Sequence, residues 1–185
     1  MHRNATSHML KMLFEDYLSP LDKTKTFENV AFSKANKEAV DAAESYINQS
    51  NESRYYPLMI VGNSGCGKTH LSNAIANQLL ETNPSAKIAI FQVEEFKILM
   101  TEVERQHLYS EFDTWLSSHD LIIFEDVHKF QEYPLLAKQI FWHINSLLHA
   151  HKKLIFTSIC PPDKIKNIED RLRSRLNWNQ ILKLS

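Results

Sequence analysis

Residues 62–69 read Gly62-Asn63-Ser64-Gly65-Cys66-Gly67-Lys68-Thr69, and the spacing G-x-x-x-x-G-K-T is that of a phosphate-binding loop, Walker A. Each residue type has a physical task. The glycines at 62, 65 and 67 permit conformations and close approaches that a Cβ forbids, so successive N–H groups can close on phosphate oxygens. Lys68 carries a point charge toward the β- and γ-phosphates, and Thr69 offers a hydroxyl to Mg²⁺. His70 stands in the first turn of an expected helix, whose free N–H donors and dipole favour an anion. The flanks agree, since Tyr56 to Val61 is an apolar run of strand length and His70 to Leu80 has helical spacing. The chain has 3 glycines and all of them lie here. Strand, loop and helix in this order imply a bound nucleoside triphosphate rather than a chance glycine turn with a solvated lysine.

The 185 residues suffice for one domain with a sizeable core. A hydrophobic content of 43% and a charged content of 23% are ordinary for a soluble globular protein. The formal net charge of −1 excludes a generalised attraction to nucleic acid or anionic membrane, so any DNA contact must use a local patch. Cys66 and Cys160 suggest neither a disulfide framework nor a zinc site, and the 9 histidines are scattered. No apolar stretch approaches membrane-spanning length, and the N-terminus lacks the apolar core of a signal peptide. The cytoplasm is the expected location.

Residues 1–8 read as cloning residues, because Ser7-His8-Met9 is a common cloning junction. Residues 9–26 are expected to form an N-terminal amphipathic segment, Met9 to Leu18, and a linker, Leu21 to Thr26. A helix is expected from Ser33 and a polar loop over Asn48 to Arg54. Beyond the phosphate loop, apolar runs at Lys87 to Val93, Leu121 to Phe124, Leu154 to Phe156 and Gln180 to Leu184 predict strands. Helical spacing marks Glu94 to Tyr109, Glu111 to Leu116, Leu135 to Ala150 and Ile168 to Leu176. Strands alternating with helices imply an α/β architecture, a parallel sheet covered on both faces.

The strand Leu121 to Phe124 ends in Glu125-Asp126. An apolar strand followed by two acids is the Walker B pattern, in which one carboxylate holds Mg²⁺ and the next orients a water. Ligands of open α/β sheets gather at that edge. The first acid is usually Asp; the longer Glu125 can be accommodated by a contact through water, since Mg²⁺ keeps several waters. Thr157-Ser158, ending the next strand, suits either a γ-phosphate sensor or a turn. Arg171 and Arg175 share a helix face. They suit either an arginine finger, an effect of about 10³–10⁵ in rate, or a solvated basic face paired with Glu169 and Asp170.

These segments carry a family likeness. The chain resembles the AAA+ nucleotide-binding domain of the bacterial replication initiator DnaA and its close relatives. The likeness runs through Thr26-Phe27-Glu28-Asn29-Val30 with Ser33-Lys34-Ala35-Asn36, and through Pro57-Leu58-Met59-Ile60 into Lys68-Thr69-His70-Leu71. It continues over Asp120 to Asp126 and over Glu169 to Arg175 followed by Trp178. It implies a P-loop NTPase three-layer sandwich over residues 27–185, with a parallel five-stranded sheet of order 5-1-4-3-2. It also implies ATP or ADP bound at subunit boundaries. Phe27 and Val30 would then lie near the adenine, and Lys68 and Thr69 would hold phosphates and Mg²⁺. Glu125 would be the metal-binding acid and Asp126 the water-orienting one. Arg175 would be the arginine finger, with Arg171 beside it at the subunit contact.

Besides Glu125, the chain departs from the family pattern in four places. Ile159 stands where the family has an Asp after the serine of the fourth strand. The stretch Lys97 to Leu116, where the family contacts single-stranded DNA, sets Glu102, Glu104, Glu111 and Asp113 against Lys97 and Arg105. Such a balance repels phosphates. After Phe130 the chain reads Gln-Glu-Tyr-Pro-Leu-Leu, in place of a basic segment. No helical lid or helix-turn-helix follows Ser185, as in an excised domain or a trimmed relative. The expected function is a nucleotide-controlled assembly switch in chromosomal replication initiation, hydrolysing slowly when alone. The alternatives are a DnaA-related regulator that contacts the initiator with little turnover, and a helicase-loader or transposition-accessory ATPase.

Overall fold

Five short apolar runs pair side by side into one parallel sheet. They are β1 (Leu58–Gly62), β2 (Ile88–Gln92), β3 (Leu121–Glu125), β4 (Lys153–Ser158) and β5 (Gln180–Leu184). The structure is a computed structural model and describes residues 10, 12–30, 36–48, 57–178 and 180–185. The spatial order is β2-β3-β4-β1-β5, the expected 5-1-4-3-2 seen from the other edge. Parallel neighbours require crossover connections, and here helices supply them. These are α2 (Lys68–Thr82), α3 (Val93–Gln106), α4 (Tyr109–Ser117), α5 (Pro134–His149) and α6 (Asp170–Asn177), while α1 (Lys37–Asn48) precedes β1.

Alternation along the strands divides the core in two. Leu58, Ile60, Ile90, Leu121, Ile123 and Ile155 face α1 and α2. Met59, Val61, Phe91, Phe124 and Phe156 join the cluster built with α3 to α6. Register aligns Phe91 with Phe124 and Phe124 with Phe156. Their rings stack at 5.4 and 5.9 Å across three strands, a large apolar payload at the centre of the molecule.

Element types agree with the sequence expectations, and boundaries shift for local reasons. Helix α2 starts at Lys68, two residues before the expected His70, because Gly67 itself is its cap. Helix α3 stops at Gln106 rather than Tyr109. His107 enters the left-handed region at φ 57, and the N–H groups of His107 and Leu108 close on the carbonyls of Glu104 and Val103. A 3-10 helix over Val127–Glu132 was not expected. The expected helix start at Ser33 and the loop over 49–54 lie outside the described residues.

The N-terminal stretch packs on the sheet. Phe14, 1% exposed, meets the rings of Phe112 and Trp115 at 5.5 and 5.2 Å. Ser19 N–H donates to Ile90 O, covering part of the β2 edge. Leu21 to Thr26, expected as linker, is stitched to α2. Asp22 N–H donates to Asn73, and Asn77 donates to the carbonyls of Asp22 and Lys25.

Candidate nucleotide site

The phosphate loop leaves the C-terminal end of β1 and enters α2. Gly65 and Gly67 adopt φ values of 81 and 100, which L side chains resist. Gly62 is required for a different reason: a Cβ there would stand 2.5 Å from both Cys66 Sγ and Leu184 O. The Cys66 N–H donates to Asn63 O and tightens the loop. Lys68 is only 7% exposed. Its ammonium donates to Gly62 O and Asn63 O, each at 2.9 Å, so a full charge is held inside the curl of the loop.

Strand order brings Glu125-Asp126 to the same edge. Glu125 is 3% exposed and no lysine or arginine pairs with it among the described residues. Its carboxylate instead accepts from Ser72 Oγ at 3.0 Å, Gln92 Nε2 at 2.5 Å and Thr69 Oγ1 at 3.4 Å. A hydroxyl and a buried carboxylate thus meet beside the loop, a hard oxygen donor set suited to Mg²⁺. Asp126 sits at φ 58 and its N–H donates to Thr157 Oγ1 at 3.0 Å. Thr157 therefore braces the acid pair from β4. Ser158 turns away to bond Cys160, and Ile159 is 47% exposed.

Beside the loop lies a cleft of about 290 Å³, lined by Val30, Asn36, Val40, Cys66, His70 and Leu184 among others. His70 Nε2 approaches Thr26 O at 3.1 Å and Asn29 Oδ1 at 2.9 Å, fixing the Thr26-to-Asn29 turn against α2. Val30 thereby reaches the cleft, while Phe27 is half-buried against the α1–α2 core. Asn36 closes the other wall by bonding both the N–H and the carbonyl of Ser185.

Arg171 and Arg175 lie elsewhere, against α5. The Arg175 guanidinium donates to Asn145 Oδ1 at 2.7 Å and stacks 4.7 Å from the Trp178 ring. Arg171 pairs with Glu169 and stacks on Phe141 and Trp142. Among the described residues neither contacts the phosphate loop. Arg173, between them, donates to the carbonyls of Pro162, Ile165 and Ile168.

Sequence reasoning missed Ser72 and Gln92. Ser72 lies one turn beyond Thr69 on α2 and so shares its face. Gln92 is the polar residue ending β2, and its register partner across the sheet is Glu125. A polar strand end at the ligand edge was the available signal.

This sheet order, with a phosphate loop facing an acid pair, defines a P-loop nucleotide-binding domain of the AAA+ type. Residues 21–183 match the bacterial DnaA ATPase domain model, and the chain belongs to that family. It is 33% identical over 160 residues to the chromosomal replication initiator protein DnaA of Psychromonas ingrahamii, covering 86% of this chain and 35% of that protein. It thus spans about a third of that relative's length. Domain III of the Thermotoga maritima replication initiation protein DnaA superposes with a TM-score of 0.83 at 27% identity, over 90% of this chain and 69% of that one. A replication initiator DnaA bound to AMPPCP and single-stranded DNA superposes with a TM-score of 0.81 at 25% identity, over 90% of this chain and 51% of that one. No helix among the described residues is long and apolar enough to cross a membrane.

Proposed function

We propose that the chain is an ATP- or ADP-binding switch that controls assembly during initiation of bacterial chromosomal replication, acting in the cytoplasm. The observation that carries it is the meeting of Lys68, Thr69, Glu125, Asp126 and Thr157 at one sheet edge beside a cleft of nucleoside size. Gly62 to Thr69 present N–H donors and one buried cation to the phosphates, and Val30, with Phe27 behind it, walls the base side. Thr69 and Glu125 would hold Mg²⁺, which when bound neutralises charge on the β- and γ-oxygens. Asp126 orients a water for in-line attack on the γ-phosphorus. The new P–O bond forms as the bridging P–O bond breaks, leaving ADP and phosphate.

Arg175 completes the site in trans. Its guanidinium is presented on α6, away from the chain's own loop, so it serves the nucleotide of a second copy or of a DnaA-type initiator. Arg171 adds to the same contact. Turnover by the isolated chain is accordingly slow. A regulator of low turnover is the second reading, favoured by the α3–α4 surface. There Arg105 is held by Glu102, whose carboxyl is pushed down to about 2 by that guanidinium, so one of the two cations noted on this stretch is already neutralised. Contact with single-stranded DNA through this face is correspondingly weak.

Calorimetry of the wild type, Lys68→Ala and Arg175→Ala with ATP and ADP tests the proposal, paired with sedimentation. Lys68→Ala is expected to lose at least about tenfold in affinity, equivalent to roughly 1.4 kcal/mol. Arg175→Ala is expected to keep affinity and lose ATP-dependent assembly. Unchanged affinity in Lys68→Ala overturns the site.

A further inference from the structure

The 3-10 helix after Asp126 carries a lysine shared between two carboxylates. Lys129 Nζ lies 2.6 Å from Glu94 Oε1 and 3.8 Å from Asp126 Oδ2. Glu94 stands in the first turn of α3, and Asp126 directly follows β3, the strand next to the one that feeds α3. At the other oxygen of Asp126, His128 Nδ1 is 4.0 Å from Oδ1 and has no hydrogen-bond partner among the described residues. The Asp126 backbone is fixed by its left-handed φ and its bond to Thr157. Its carboxylate lies between a cation facing Oδ2 and an imidazole facing Oδ1.

The ammonium keeps its charge. The hydrogen bond to Glu94 holds Lys129 above the ordinary lysine range, with Asp126 and Glu132 adding to the effect. That charge is shared between two carboxylates. Glu94 holds it at short range, and Asp126 feels it at long range.

We propose that Lys129 is a positioning residue for the Asp126 carboxylate, and that Glu94 sets how much of the lysine's charge reaches it. This rests on Asp126 orienting the attacking water. With Glu94 in place, Lys129 is drawn toward α3 and the carboxylate is available. Without Glu94 the ammonium closes on Asp126 and withdraws it from water. Without Lys129 the carboxylate is released. The bridge thereby couples the start of α3 to the hydrolytic edge of the sheet, and it makes an unusual demand: removing the two partners of one ion pair must move the rate in opposite directions.

The experiment measures single-turnover ATP hydrolysis and nucleotide affinity in the full chain for the wild type, Asp126→Asn, Lys129→Met, Lys129→Arg and Glu94→Gln, with thermal melts as a folding check. Lys129→Met is expected to raise the hydrolysis rate about two- to fivefold and Glu94→Gln to lower it by a similar factor, the scale of a half-exposed ion pair. Affinity stays unchanged in both, and Lys129→Arg restores the wild-type rate. Shifts of the same sign, or rates equal to the wild type while Asp126→Asn is inactive, overturn the bridge alone. Full activity in Asp126→Asn overturns the role of Asp126 and the bridge with it. Glu94→Gln decides the sign by itself where Lys129→Met does not fold.

Discussion

At the scale of single residues, the loop shows two separate reasons for glycine. Gly67 needs its conformation, with φ 100 and open space around a hypothetical Cβ, whereas Gly62 needs its emptiness. The obstacle at Gly62 includes Leu184 O, the backbone of the paired strand β5, which cannot step aside without breaking register. Gly62→Ala is therefore expected to destabilise the fold by about 1–3 kcal/mol, as overpacking does, and to lose nucleotide affinity. Urea denaturation with calorimetry checks both. Lys68 and Thr69 were legible from their spacing within the phosphate loop, and Glu125 from its place at the end of an apolar strand. Ser72 and Gln92 were not, because each acts on Glu125 from another element, and adjacency of β2 and β3 is a property of the sheet.

Among the elements, α6 was legible as a basic helix, but the division of labour along it was not. Its spacing sets Arg171 and Arg175 on one face and leaves Arg173 without an assigned task. In the structure Arg173 turns inward to three carbonyls of the loop before the helix, at 3.1, 2.7 and 3.3 Å. The other two lie on rings, outside. Arg173→Ala is expected to cost about 1.5–3 kcal/mol, the worth of charged hydrogen bonds. At roughly 2–4 °C per kcal/mol for a chain of this size, a melting experiment resolves it. An unchanged melting temperature would mean that water replaces the guanidinium on those carbonyls. The 3-10 helix over Val127–Glu132 escaped sequence reading because its apolar residues are too few to show a period. It nevertheless carries His128 and Lys129 to the acid pair.

For the whole molecule, the buried histidines tie stability to pH. His119 is 5% exposed, with Nδ1 3.0 Å from Trp115 O, and burial pushes its proton affinity below the ordinary value near 6.5. His128 is shifted the same way, again by burial. In both cases the fold favours the neutral ring. As pH falls through 6.5 the unfolded chain takes up protons first, so stability is full above that value and declines below it. Urea midpoints measured from pH 7.5 down to 5 are expected to fall. His119→Gln should flatten part of the slope while leaving the high-pH end less affected. An identical slope in the variant would assign the acid sensitivity to other groups.

By itself, the sequence determined what depends on neighbours along the chain. The phosphate loop, the two-acid strand end, the alternation of strand and helix and the pattern of apolar faces are all set within a few residues by backbone geometry and side-chain period. The sheet order was legible only through family resemblance, since crossover handedness limits topologies without choosing one. Tertiary structure decided what depends on distance in space. It put three donors on Glu125, Thr157 beneath Asp126, Asn36 against Ser185, and Lys129 between two carboxylates on different elements. Each of these rests on strand register or helix placement, which the balance of the entire core selects and no local stretch encodes.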